Sequence, residues 1–495
     1  MGNEVTWGET PTIWTPHKYQ ETSEKFLMER TIGLGKEGGG ALLLDPGMGK
    51  TAVCLSAIKT LRKLGYIRSA LVVAPRRVVQ KVWPQEIVRW TNFHGLHMRA
   101  VTGNAEDRRR KLSAPADVYV ISRDNLDWLA RLLRANQHAP PWQIVFFDES
   151  TSFKTWKSRR SKAAREVAAR TPYRCIMTGT FSTKDLADVF PQIYLLDQGA
   201  ALGRNVTEFR NRYCYSDGPK NIGKFKVRED MKAAIRIAIE PMCLRLSIQD
   251  YLSMPEITYH DLWVDLPPNV ESMYRTMEDQ LFVALETASR DISNAAALYG
   301  CCKQMANGGI YDNGREPWHL HDAKVEAMME VIDELSGKPA LIAYQYEHDI
   351  ERIQKKIRGI KVIKGGMKEK EFNRVIDQWN DGSLKPRHLA VQPQAMSYGI
   401  NMQYGEGRDL IWLGLSDSLE IYQQLNARLW RQGVDSRVRI HRVLATGTVD
   451  AMNAARIDDR FDVQANLLEA LQDYAKRRYE TVPLADVPGI AGGRR

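Results

Sequence analysis

The chain has 495 residues, 43% of them hydrophobic and 26% charged, which is too long for one core and ordinary for a globular protein with more than one domain. It contains no apolar run of 18 residues, which excludes a helical membrane span. The net charge of +10 favours a polyanionic partner, but only the placement of the charges can decide that.

The start, MGNEVTWGETPT, lacks the basic and apolar blocks of a secretory leader, so a cytoplasmic protein is expected, in a host cell if a phage encodes it. The six cysteines form no Cys-x-x-Cys pair and read as reduced, buried thiols.

Along the first half, short apolar runs alternate with stretches of helical spacing. Residues 40–44, 69–74, 117–121, 143–147 and 174–177 read as strands. Strands apolar on both faces and separated by helices predict a parallel sheet covered on both sides. The second half repeats the plan, with strands expected at 340–344, 360–363, 388–391, 410–413 and 437–443. Between the halves, from about Asp185 to Gln304, the alternation breaks. That stretch reads as mostly helical, an insertion followed by a hinge. The expected fold is therefore α/β, with two tandem parallel-sheet lobes and a mostly helical insertion between them. Lobe one is placed at 1–255 with its insertion at about 185–250, lobe two at 256–480, and a flexible tail at 481–495.

The first chemical signal is Asp45-Pro46-Gly47-Met48-Gly49-Lys50-Thr51, set between a strand and a helix. Glycines let backbone N–H groups turn toward phosphates, and a helix N-terminus favours their charge. Lys50 can reach the β and γ phosphates, and the Thr51 hydroxyl can hold Mg²⁺. Leu44 stands where the strict motif has glycine, so an ordinary Gly-rich turn is the competing reading.

The second signal is Phe146-Phe147-Asp148-Glu149, an apolar strand ending in two carboxylates. Asp148 would complete the Mg²⁺ shell, and Glu149 would polarise an attacking water. Paired acids at a strand end are often solvated caps, but these follow the loop by one βαβαβ span. Together the two signals point to ATP hydrolysis. Far along the chain, Gln424, Arg428 and Arg431 share one face at helical spacing. The alternative to a solvated face is an arginine finger, catalytic at the γ-phosphate if a second lobe closes on the first.

These segments, in this order, resemble a superfamily-two helicase or translocase of the Swi/Snf-type branch, in its compact phage-encoded version. Further matches are Trp14 to Gln20, Ala74-Pro75-Arg76 with Trp83 to Glu86, Ile121 to Leu126, Asp148 to Lys154, Thr178-Gly179-Thr180, Leu244-Arg245-Leu246, Tyr398 to Asn401 and Thr446 to Asp450. Leu246 departs from the family's second arginine. The resemblance implies two RecA-like lobes with ATP and Mg²⁺ between them. It places Gln20 on the adenine, Trp14, Gly399, Asn401 and Gln424 about the nucleotide, and Arg428 and Arg431 at the transferred phosphate.

The resemblance further implies a nucleic-acid track at Arg76, Arg123, Lys154, Thr178, Thr180, Tyr344 and Gln392. Basic residues do gather near those strand ends, including Lys157, Arg159, Arg160, Lys162 and Arg165. Contacts of that type grip phosphates without reading bases, which suits a motor. Arg108 to Lys111 reads instead as a solvated helix face, and Trp83, Trp90, Trp128 and Trp156 as packing. Double-stranded DNA is the expected track, with phage or host replication and recombination proteins as further partners by analogy. A strand-separating helicase on DNA or RNA and a non-catalytic scaffold are the competing functions.

Overall fold

In the computed structural model, residues 11–33, 38–135, 139–179, 181, 186–216, 225–251, 254–286, 292–312, 316–396, 400–431, 433–459, 471 and 474 are described. Thr180, Gly399 and the tail 481–495 lie outside them. The chain forms two compact units, Met1–Ser253 and Met254–Arg495.

In the first unit β1 (Gly38–Leu44), β2 (Ala70–Ala74), β3 (Met98–Val101), β4 (Val118–Ser122), β5 (Ile144–Asp148) and β6 (Tyr173–Thr178) precede a small antiparallel hairpin, β7 (Cys214–Ser216) with β8 (Phe225–Val227). A last strand, β9 (Cys243–Leu246), returns to the sheet. The order is β3-β4-β2-β5-β6-β1-β9, and every neighbouring pair is parallel. The central strands are buried throughout, as runs such as Ala70-Leu-Val-Val-Ala74 require when helices cover both faces.

The second unit contains β10 (Ile257–Val264), the hairpin β11 (Gly309–Tyr311) with β12 (Pro317–His319), then β13 (Ala340–Ala343), β14 (Lys361–Ile363), β15 (Leu389–Val391), β16 (Asp409–Trp412) and β17 (Val438–Ala445). Its six-stranded sheet runs β10-β17-β16-β13-β15-β14, again all parallel. The expected fold class of two parallel-sheet lobes is thus observed.

The stretch between the halves is less purely helical than its sequence implies. Helices Val189–Asp197, Val206–Tyr213, Lys232–Ile239, Pro268–Glu286 and Ile292–Asn307 fill most of it, but β9 and β10 each add an edge strand to one sheet. Both escape an apolar-run criterion because they are half exposed; β10 even carries Tyr259, His260 and Asp261 in succession. The Asp261 carboxylate is gripped by the Arg442 guanidinium of β17, which adds to the partial apolar packing of Ile257, Leu262 and Val264. Among the described residues no helix is long and apolar enough to cross a membrane, and none of the six cysteines is in a disulfide, three of them being only partly buried.

Candidate functional site

The loop after β1 leads directly into the helix Lys50–Lys63. Gly47 and Gly49 take φ of 94° and 75°, a region open to glycine at little steric cost, and Gly49 forms the helix N-cap. A Cβ at Gly49 would also meet the Gln20 Nε2 at 2.5 Å. Gln20, 3% exposed, donates from Nε2 to the Met48 carbonyl at 3.1 Å and accepts at Oε1 from the His17 N–H at 3.0 Å. It therefore ties the first helix, Lys18–Ile32, to the loop. The Lys50 ammonium donates to the carbonyls of Leu44 at 2.7 Å and Asp45 at 3.2 Å. Thr51 follows in the first helical turn, partly exposed. Trp14 is buried, with its ring 5.5 Å from Phe93 and its backbone tied to Asn92.

Asp148 ends β5, two strands from β1 with β6 between them. At ordinary strand spacing the ends of the two strands lie about 10 Å apart. Burial pushes the Asp148 carboxyl up to about 7; the Glu149 charge pushes the same way and the Lys50 ammonium opposes it. Its Oδ2 accepts from the buried Trp83 indole at 3.4 Å, and its Oδ1 from the Glu149 N–H at 3.1 Å. Trp83 is delivered by a π-helical stretch, Val78–Val82, which runs straight into the helix Trp83–Arg89. Such irregular turns concentrate at functional sites.

A buried acid with a second acid beside it calls for a cation, and the Thr51 hydroxyl is the expected neutral donor. Among the described residues no group of three or more His, Cys, Asp or Glu could form a full metal cage. The set fits Mg²⁺, which keeps few protein ligands and takes the rest from phosphates and water.

Glu149 holds φ 52°, ψ 59°, a left-handed conformation that costs a non-glycine residue about 1 kcal/mol or more. Its carbonyl accepts from the Ser152 N–H at 3.1 Å and the Ser152 hydroxyl at 2.8 Å, and that hydroxyl in turn accepts from Arg123. Ser150, fully buried, donates to Gln192 Oε1 at 2.7 Å. Trp83, Ser150, Ser152 and Gln192 are additions to the sequence-predicted set. Gln192 carried a signal: it is a lone amide in the apolar run Val189-Phe-Pro-Gln-Ile-Tyr-Leu-Leu196.

The residues of the first unit expected to line the track stand at the C-terminal ends of the same parallel strands. Arg76 follows β2 and is exposed, Arg123 follows β4, Lys154 follows β5, and Thr178 closes β6 with 2% exposure. Beyond Lys154 the basic stretch is partly engaged. Arg159 and Arg160 pair with Asp127 and Asp124, and Arg165 lies 3.6 Å over the Trp156 ring. The run Arg108 to Lys111 on the helix Ala105–Ser113 is only in part the solvated face expected: Arg109 and Arg110 are exposed, but Arg108 stacks on Trp128 and Lys111 donates to the Thr102 carbonyl at 2.9 Å.

In the second unit Tyr344 follows β13, but its side chain is 1% exposed, so it presents no surface to a ligand in this conformation. Gln392 follows β15 and accepts from the Gly365 N–H at 3.0 Å, while Asn401 is partly exposed and its carbonyl accepts from Asn380. The helix Leu419–Leu429 carries Gln424 and Arg428 and ends before Arg431. The expectation of three residues on one helical face is corrected there: Trp430 is already extended, with its indole donating to the Pro255 carbonyl at 2.8 Å. Arg428 is 5% exposed and donates to the carbonyls of Met396 at 3.1 Å and Ile400 at 3.2 Å, while Arg431 is partly exposed. Gln424, 6% exposed, donates to Glu420 at 3.0 Å.

Comparison with known proteins bears on this arrangement. The SNF2-related domain matches residues 19–306. "Putative protein p41" of Acyrthosiphon pisum secondary endosymbiont phage 1 is 30% identical over 441 residues, covering 86% of this chain and 93% of that protein. The DNA repair and recombination protein RAD54-like of Danio rerio is 22% identical over 91% of this chain and 68% of its own length. Among solved structures, the Sulfolobus solfataricus SWI2/SNF2 ATPase core in complex with dsDNA aligns over 96% of this chain and 99% of that one, at 18% identity and a TM-score of 0.44. On the domain match and the phage relative, the chain belongs to the SNF2-related family.

Proposed function

We propose that this chain hydrolyses ATP and uses the cycle to move along duplex DNA without itself separating the strands. The observation that carries the reading is the loop at Lys50-Thr51 and the Asp148-Glu149 pair on the ends of β1 and β5, close enough for the Lys50 charge to act on Asp148. Backbone N–H groups of the loop and the Lys50 ammonium would take the phosphates. Mg²⁺, held by Thr51 and Asp148, would neutralise charge developing on them. Glu149 would orient the attacking water and accept its proton. Arg431 is the assigned arginine finger; its partial exposure favours it over the buried Arg428.

Gln20 holds the loop and is the residue assigned to the adenine; the assigned roles of Trp14, Asn401 and Gln424 about the nucleotide remain part of the proposal. The proposed track runs past Arg76, Arg123 and Lys154, all at strand ends. That the RAD54-like relative is a DNA repair and recombination protein favours DNA. Triplex displacement tests the motion. ATP should drive a third strand off a duplex while a blunt duplex stays paired. Efficient unwinding of the blunt duplex with no triplex displacement would sink the proposal in favour of a helicase.

A further inference from the structure

Three described non-glycine residues have positive φ: Glu149, Gln198 and Ser336. Gln198 and Ser336 sit just behind helices Val189–Asp197 and Ala323–Glu334, where a left-handed residue is common. Glu149 has no such excuse. It stands between a strand and a 3-10 turn, Ser150–Phe153, so something other than helix capping must hold it.

The residues that follow it show what does. The Glu149 carbonyl is closed onto Ser152. The Ser150 hydroxyl is anchored to Gln192, which is fully buried on the helix Val189–Asp197. The Gln192 amide is fully used. Its oxygen accepts from Ser150, and its nitrogen donates to the carbonyls of Phe181 at 2.7 Å and Asp188 at 3.0 Å. A flipped amide would turn its oxygen toward two carbonyl oxygens, so the partners fix its orientation. Gln192 thereby joins the residue after Glu149 to the chain just beyond Thr178-Gly179.

We propose that Gln192, acting through Ser150, is a positioning residue that holds the Glu149 carboxylate in line for the attacking water. The proposal rests on the reading of Glu149 as the group that activates water. An unpaired Ser150 would let the peptide at Glu149 relax toward a commoner conformation and swing its carboxylate away. A misplacement of this kind slows chemistry without weakening substrate binding.

The test is nucleic-acid-stimulated ATP turnover by Ser150→Ala, Gln192→Met and the double variant, with equilibrium binding of a fluorescent ATP analogue measured alongside. Each single variant should lose about tenfold in kcat while KM for ATP and analogue binding stay within about twofold. The double variant should be no slower than the slower single one, since both cut the same link. Ser150→Thr, which keeps the hydroxyl, should restore most of the rate. Ser150→Ala removes a single oxygen and decides the matter alone if Gln192→Met does not fold. An active wild type with both single variants within twofold in kcat would overturn the assignment, as would a raised KM at unchanged kcat. A wild type with no turnover on any nucleic acid would instead overturn the ATPase reading, and this assignment with it.

Discussion

The two helices that carry the chain's chemical motifs are built for different work. The helix Lys50–Lys63 in the first unit begins at its proposed phosphate-binding residues: Gly49 caps it, and Lys50 and Thr51 open it, at the end of a buried strand. The helix Leu419–Leu429 in the second unit ends near the residues proposed to act on the nucleotide. Gln424 and Arg428 are buried within it, and Arg431 lies past its last turn. A helix N-terminus is itself a binding device, because its N–H groups and dipole face an anion. A helix C-terminus offers an anion nothing, so the arginines there must act through their side chains. Only the partly exposed one is suited to that.

Substitutions at the two regions can break this contrast. The largest effects are expected in turnover: Glu149→Gln should keep ATP binding and lower turnover by about 10²- to 10⁴-fold, the range of a lost general base. Near-normal turnover would remove Glu149 from its role. Arg431→Ala should lower kcat by about 10³-fold or more and leave nucleotide affinity nearly intact, because a finger acts mainly on the transition state. Arg428→Ala should instead destabilise the second unit by about 1–3 kcal/mol in denaturant melts, through the carbonyls of Met396 and Ile400 left unpaired. If Arg428→Ala left stability unchanged and Arg431→Ala left kcat unchanged, this division of labour would be refuted.

The smallest effect concerns stability and pH. Asp148 has its carboxyl raised by burial to about 7 from an ordinary 3.8. The folded state therefore holds this proton more tightly than the unfolded chain does. The stability tied to that proton is fully present below about pH 4 and is lost as pH rises through about 7. Asp148→Asn should consequently raise the melting temperature of the nucleotide-free protein at pH 8 and do little at pH 4. A lower melting temperature at pH 8 would show that the carboxylate is stabilised by its surroundings rather than strained by them.

What could be read from sequence follows the same physics. The strands found from apolar runs lie mostly inside the sheets, where both faces are covered. Of the strands missed, β3, β9 and β10 are edges of the two large sheets with half-exposed residues, and β7, β8, β11 and β12 form two small antiparallel hairpins. In the candidate site, the loop and the acidic pair announce themselves because phosphate and cation chemistry demands those residues at those spacings. Trp83 and Gln192 act from a distance in sequence, and nothing local in their spacing says which acid or serine they meet. Helical spacing alone put Arg431 on the face of Arg428; the side-chain bond from Trp430 to Pro255 belongs to tertiary structure and no periodicity encodes it.

The most direct test of the central claim is steady-state ATP turnover by the wild-type protein on matched duplex DNA, single-stranded DNA and RNA. Duplex DNA should stimulate hydrolysis at least about tenfold over single-stranded DNA or RNA, and the stimulation should fall with salt as phosphate contacts are screened. Equal stimulation by all three, or no phosphate release with any of them, would contradict a duplex-tracking motor.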